Sequence, residues 1–149
     1  MDRCANAYAY HKAGYNCAQS VAAACADLAG WEPEALMSAM GGFGGGIGGS
    51  HEELCGAVSG GVLVLSLANP HQDGGDTEGK KAVYAKAKEF RQRFTEVFGG
   101  LSRCGELLRA RPGISEAASA ASRLHITSHC DIMIVTAVEI VEDMLQNPI

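Results

Sequence analysis

The chain has 149 residues, of which 47% are hydrophobic, and it carries a formal net charge of −5. A chain of this length fits one domain, residues 1–149, and such a domain buries roughly two-thirds of the surface that its unfolded chain exposes. The 12 basic residues never form a long block. This distribution disfavours a nucleic-acid partner, because phosphate binding requires a concentrated basic face.

Neither the N-terminal segment nor the most apolar stretch indicates export or membrane insertion. The first residues are polar and charged, and they lack the apolar run of a secretory signal. The longest apolar stretch, residues 54–68, is about 15 residues long and contains glycines, whereas a bilayer span needs about 20 apolar residues. We therefore expect a cytoplasmic protein without membrane insertion.

The chain opens with the patterns of two capped helices. Asp2 is placed to cap a first helix that runs to about Lys12, and Gly14 is placed to end it. Asn16, with Gln19 three residues further on, forms a capping-box pattern and predicts that a second helix starts there. Gly30 is its expected C-terminal stop.

A short third helix leads into the most unusual segment of the sequence. The helix is predicted to begin near Glu32, with Pro33 at its first position, and to end at Gly41. Residues 40–50 then read MGGFGGGIGGS, which is mostly glycine. We call this segment the glycine-rich loop.

A second capping-box pattern, Ser50 with Glu53, predicts a fourth helix that runs to about Leu67. Glycines interrupt this helix, and each costs about 1 kcal/mol relative to alanine. Small residues at these positions let another backbone or a ligand come close. A buried strand over residues 61–67 is an alternative, because VLVLSL suits either structure.

The strongest helical pattern covers Glu78 to Phe98, after a polar loop at residues 69–79. Its charged residues fall largely outside one apolar stripe, which is typical of a helix that packs one face on a core. The stripe consists of Val83, Ala87, Phe90, Phe94 and Val97.

The C-terminal third predicts two further helices around a weaker segment. Ser102 is placed to cap a short helix that reaches Arg109, and residues 115–122 read as a weak helix or a loop. Ser128 is placed to cap a last helix through Leu145. The elements together predict an all-α fold, a single-domain compact helical bundle of about five to seven helices with a glycine-rich loop.

The six cysteines are the residues that point most directly to chemistry. In a reducing cytoplasm they favour a metal site, a catalytic site or buried thiols over structural disulfides. No two of them are spaced as CxxC, so neither a zinc ribbon nor a thioredoxin-type motif is indicated. Any site must therefore be assembled by the fold from distant segments.

Four cysteines fall at or near predicted helix starts. Cys17 is the first residue after the predicted cap Asn16. Cys104 is the second residue after the cap Ser102, and Cys130 is the second after the cap Ser128. Cys55 lies about five residues past Ser50. The partial positive charge of a helix start makes a thiol there more acidic, and the thiolate is the form that attacks disulfides and binds metals. Packing is the alternative role for every cysteine.

The second predicted helix holds a fifth cysteine in a different setting. Cys25 lies on its apolar stripe, and we expect it to be a small core side chain. His51 and His129 are close to cysteines in the sequence and are given minor roles at most.

The glycine-rich loop and the glycine after Cys55 have three interpretations. Their backbone N–H groups could cradle a phosphate, although no lysine follows as in a P-loop. The same donors could surround a sulfur-ligated cluster and stabilise its negative charge. A plain flexible loop is the third interpretation. The candidate cofactor-binding residues are Gly44, Gly45, Gly46 and Gly56.

Four motifs that contain or flank the cysteines occur in order along the chain. They are GYNCAQS, GGFGGGIG, CGAVSGG and FGGLSRCGELL, and Cys130 follows them at the last helix. This pattern resembles a family described as redox-active and known by a CGAxxG motif and four characteristic cysteines. The resemblance implies that the family's four are Cys17, Cys55, Cys104 and Cys130, and that Cys4 and Cys25 are additional.

The leading hypothesis is that these four cysteines converge as a catalytic or metal-binding redox site, which exchanges electrons with a partner protein. They could hold an iron–sulfur cluster or form reversible disulfides, and the lack of CxxC slightly favours the cluster. Zinc held by the sulfurs is a third option.

Two other classes of function remain open from the sequence. One is a non-enzymatic module that binds a small ligand or metal through the glycine-rich loop, with structural cysteines. The other is a structural protein whose last helix is buried in a homodimer.

Overall fold

The computed structural model describes residues 1–111 and 119–146, and these residues form eight α-helices and no β-strand. The all-α prediction is confirmed, and the strand alternative for residues 61–67 is wrong because these residues belong to a helix. No helix in this part of the chain is long and apolar enough to cross a bilayer. The helices are α1 Arg3–Lys12, α2 Cys17–Ala24, α3 Pro33–Ala39, α4 Gly56–Ala68, α5 Thr77–Val97, α6 Cys104–Ala110, α7 Ser119–Arg123 and α8 His129–Gln146.

The first three helices begin where their caps predict. The side chain of Asp2 accepts a hydrogen bond from the Ala5 amide at the start of α1. At the start of α2, Asn16 and Gln19 make both bonds of the capping box, at 2.8 and 2.9 Å. However, α2 ends earlier than expected, and a 3₁₀ turn over Ala26–Ala29 carries the chain to Gly30, which has a left-handed φ of 72°.

The predicted helix start at Ser50 is wrong, because α4 begins at Gly56. The Ser50 hydroxyl donates to the Gly46 carbonyl at 2.7 Å, back into the glycine-rich loop, and accepts from the Glu52 amide at 3.2 Å. His51 has a left-handed φ of 62°, which a helix does not allow. Cys55 is therefore the residue that directly precedes α4.

The predicted cap of the sixth helix is also displaced by one residue. Arg103 precedes α6 without a side-chain cap, and Cys104 is the first helical residue. The carbonyl of Ser102 accepts from the Cys55 amide at 2.8 Å, which joins this segment to the start of α4. Part of the weak segment 115–122 lies outside the described residues, and its end belongs to α7.

The core forms where α2, α4 and α8 pack against one another, with α1 and α5 on the outside of this group. Most of α8 is buried, and its acidic residues Glu139, Glu142 and Asp143 lie on the less buried side of the helix. Phe90 and Phe94 insert from α5 and are fully buried, as their stripe predicts. The glycines of α4 allow close packing, since Gly60 faces the Ala18 carbonyl and Gly61 faces the ring of Phe90.

Substitution of Gly60 by alanine should destabilise the fold. The new Cβ would lie 2.6 Å from the Ala18 carbonyl oxygen, which belongs to the α2 backbone and cannot rotate away. Overpacking costs about 1–3 kcal/mol and outweighs the gain of up to about 1 kcal/mol in helix propensity. Urea denaturation should give a lower unfolding free energy for Gly60→Ala. The neighbouring Ser59→Ala is the control, and equal stability of both variants would contradict the packing.

Candidate redox site

Four of the six cysteines line one cavity of about 170 Å³. They come from four different segments of the chain, and they are Cys17, Cys55, Cys104 and Cys130. These are the four that the motif pattern selects. The remaining two, Cys4 and Cys25, do not line this cavity.

Each of these cysteines lies at the N-terminal end of a helix. Cys17 is the first residue of α2 and Cys130 the second of α8, as their caps predict. Cys104 is the first residue of α6, and Cys55 directly precedes α4. Four helix starts, with their partial positive charges, therefore meet at the cavity.

Backbone hydrogen bonds hold the segments that carry two of the cysteines against each other. The Cys55 amide donates to the Ser102 carbonyl at 2.8 Å, and the Cys104 amide donates to the Glu53 carbonyl at 2.9 Å. An isolated antiparallel bridge between Leu54 and Arg103 lies between these bonds. Residues 53–55 and 102–104 thus form a short paired unit that no local sequence pattern predicts.

The four candidate glycines all lie at this site. A Cβ on Gly56 would overlap the sulfur of Cys17, and a Cβ on Gly46 would lie 2.7 Å from the Cβ of Cys104. Gly45 lines the cavity, and a Cβ on Gly44 would overlap the side chain of Asn16. The glycine-rich loop therefore comes close enough to the thiols for its backbone to form a wall of the site.

His51 contacts a cysteine that is remote in the sequence. Its Nδ1 lies 3.2 Å from the sulfur of Cys104, and His51 lines the same cavity as Cys55. The left-handed backbone of His51 turns the side chain toward α6, and its carbonyl accepts from the Gly105 amide at 2.8 Å. When Nδ1 carries the proton, it donates to the sulfur and stabilises the thiolate.

A second histidine at the cavity was missed by the sequence reasoning. His11, in the last turn of α1, lines the cavity, and its Nδ1 lies 2.7 Å from Oδ1 of Asp131 in α8. Asp131 is only 7% exposed. The two residues are 120 positions apart, so only the packing of α1 on α8 brings them together.

The thiols of the site are less acidic than helix-start positions suggest. Burial, followed by the charge of Cys17, raises the pKa of Cys55 to about 12. Burial, followed by the charges of Cys17 and Cys104, raises the pKa of Cys130 to about 11. The pKa of Cys104 is also raised, by burial and then by Cys17. The expectation of acidic thiols is therefore wrong for these three, because desolvation and mutual repulsion outweigh the helix ends.

The two other cysteines belong to the core. Cys25 is fully buried, which confirms its expected packing role. Cys4 is buried as well, and its sulfur donates to the Val135 carbonyl at 3.7 Å. Burial is the main cause that raises the pKa of Cys4 to about 12 and also raises that of Cys25.

The thiols are unpaired, and the described side chains do not form a preassembled site for a single metal ion. All six cysteines are free thiols. Across residues 1–111 and 119–146, no three histidine, cysteine, aspartate or glutamate side chains are arranged to hold one metal ion. The donor set itself, with four sulfurs and two histidines around one cavity, is of the type that binds iron–sulfur clusters and zinc.

A family model described as "Putative redox-active protein (C_GCAxxG_C_C)" matches residues 15–144. The chain belongs to this family. The match includes the four cysteines of the cavity and the glycine-rich loop, and it confirms the resemblance seen in the motifs. All of α1, including His11, precedes the matched residues. No curated protein and no solved structure matches the chain significantly.

The stability of the reduced, metal-free protein should fall as the pH rises above about 9. A thiol with the ordinary pKa of 9.0 ionises there in the unfolded chain, whereas Cys55 in the folded chain ionises only near 12. Between these values the unfolded state binds fewer protons, so rising pH favours unfolding. Urea denaturation of Cys55→Ala should show a weaker dependence on pH in this range. A slope equal to that of the wild type would contradict the raised pKa.

Two glycine substitutions in the same loop should have different effects on the thiols. Gly46 and Gly48 both have left-handed φ, 71° and 62°, so alanine strains either backbone by about 1–2 kcal/mol. Only at Gly46 would the new Cβ also press on Cys104 and His51. We expect Gly46→Ala to change the alkylation rate of Cys104, and Gly48→Ala to leave it near the wild-type value. Equal rates in the two variants would contradict the close approach.

Proposed function

We propose that this chain is an electron-transfer protein whose redox centre is formed by Cys17, Cys55, Cys104 and Cys130. The observation that carries the proposal is the convergence of these four thiols, from four separate segments, on one cavity. Membership of a redox-active family agrees with it. The electrons would pass to and from a partner redox protein.

The electrostatics of the site favour a bound iron–sulfur cluster over thiol exchange. Thiol–disulfide exchange depends on a thiolate, and burial and mutual repulsion disfavour the thiolate at Cys55, Cys104 and Cys130. A positively charged metal centre offsets both effects, because it binds the thiolates directly and compensates their charges. Such a cluster would supply one-electron transfer.

The surrounding backbone supports the same chemistry. Gly46 and Gly56 have no Cβ to separate their backbone from the neighbouring cysteines. Amide groups near thiolate and sulfide sulfurs stabilise negative charge, and hydrogen bonds of this kind set the potential of a cluster. The starts of α2, α4, α6 and α8 add partial positive charge at the cavity.

Reversible disulfide formation is the second candidate, and one observation favours it. The segments that carry Cys55 and Cys104 are hydrogen-bonded to each other, so both thiols are held at the same cavity without any metal. Oxidation of the pair would release two electrons and two protons to an oxidised thiol partner and join the sulfurs. Both candidates place the redox chemistry on the same cysteines.

Protein purified without oxygen should contain iron and acid-labile sulfide and should absorb visible light. Cys17→Ser and Cys55→Ser remove donors from the cavity and should lose the chromophore. The control is Cys25→Ser, which alters a buried core thiol and should keep the chromophore while lowering stability. The measurements are iron, sulfide and zinc content and the absorption spectrum.

The outcomes of this experiment separate the alternatives. Metal-free protein in which Cys55 and Cys104 form a reversible disulfide would replace the cluster by the second candidate. Stoichiometric zinc without iron would indicate a structural site. Colourless, metal-free protein whose four thiols titrate freely under oxidising and reducing conditions would contradict the proposed function.

A further inference from the structure

One side chain at the cysteine cavity has the features of a metal ligand and has no role in the proposal above. His11 lines the cavity together with the four thiols. It comes from α1, outside the residues that the family model matches. Neither the motif pattern nor the family match therefore assigns it a function.

The orientation of His11 is fixed by a carboxylate. Its Nδ1 lies 2.7 Å from Oδ1 of Asp131, the residue that follows Cys130 in the first turn of α8. The Asp131 side chain is 10% exposed and that of His11 30%, so this pair lies mostly within the protein. Because the carboxylate accepts a proton-bearing Nδ1, the other ring nitrogen, Nε2, keeps a free lone pair in the neutral tautomer.

The contacts of the two ring nitrogens differ. Nδ1 is paired with Asp131, whereas Nε2 makes no hydrogen bond with any residue in the described part of the chain. A histidine that ligates a metal almost always donates its second ring N–H to a carboxylate, a backbone carbonyl or water, and this partner fixes both tautomer and orientation. Asp131 and His11 form the carboxylate–histidine half of such an arrangement, at a cavity lined by sulfur donors.

We propose that His11 is a ligand of the metal centre at this cavity, and that Asp131 is its positioning residue. The inference rests on the proposed function in its iron–sulfur form. In this role the Nε2 lone pair would bind iron, and the Nδ1 proton would stay in the hydrogen bond to Asp131. The centre is then bound by cysteine and histidine together, and α1 contributes directly to the site.

The mixed donor set has a consequence for the number of bound thiols. With His11 the cavity has five side-chain donors in addition to His51, whereas the common clusters take four. One of the four thiols is then a neighbour of the cluster and not a ligand. Histidine in place of cysteine raises the reduction potential of an iron–sulfur centre, so the proposal also predicts its redox behaviour.

The simplest competing role is a structural ion pair that joins α1 to α8. Stability alone cannot separate the two roles, because removal of His11 would destabilise the fold in both. The decisive measurement is therefore spectroscopic. Pulsed electron paramagnetic resonance of the reduced centre, in full-length protein with ¹⁵N-labelled histidine, detects a nitrogen bound to iron.

We expect a strong histidine nitrogen coupling in the wild type and its loss in His11→Ala. Asp131→Asn should retain the coupling and lower the affinity for iron about 10–100-fold, the usual effect of removing the partner of a ligating histidine. The control is His129→Ala, which removes a half-buried histidine next to Cys130 that does not line the cavity. This variant should keep the wild-type spectrum.

The failures of the two proposals are distinguishable. A wild-type cluster without histidine coupling, lost in Cys17→Ser but unchanged in His11→Ala, would overturn the role of His11 and leave the proposed function intact. Absence of any metal centre, with thiols that form reversible disulfides, would overturn the ligand role and leave a redox site. Thiols that neither bind iron nor undergo oxidation would overturn both.

Discussion

The pairing of residues 53–55 with residues 102–104 is the constraint on which the rest of the site depends. Two backbone hydrogen bonds, from the amides of Cys55 and Cys104, join the approach to α4 with the approach to α6. This pairing fixes where both helices begin, and therefore where two of the four thiols lie. The glycine-rich loop then packs against the paired unit, because Gly46 allows its backbone to reach Cys104 and His51.

The site concentrates groups that repel one another when they ionise. Burial and the neighbouring thiols raise the pKa of Cys55, Cys104 and Cys130, although helix starts surround the cavity. Desolvation of a thiolate is costly, and partial charges at helix ends do not compensate for it here. An arrangement that is unfavourable for free thiolates is suited to a cationic centre, since metal binding offsets burial and repulsion together.

The two histidines show how the surroundings of the thiols differ from the sequence order. His51 is close to Cys55 in the chain but contacts Cys104, because its left-handed backbone directs it to α6. His11 and Asp131 meet across the contact between α1 and α8. Side chains of this kind orient ligands and tune a redox centre, and they extend the site beyond the residues of the family motif.

The sequence by itself determined the all-α fold, the starts of α1, α2 and α3, and the apolar stripe of α5, and its motifs selected the four cysteines that line one cavity. These features follow from local capping chemistry, helical periodicity and motif order. The tertiary structure decided where α4 and α6 begin, because the long-range bonds between residues 53–55 and 102–104 fix both starts, while Ser50 bonds back to Gly46 and does not cap a helix. It also decided the acidity of the thiols and the contacts of both histidines, since burial and proximity arise only when segments distant in the sequence pack together.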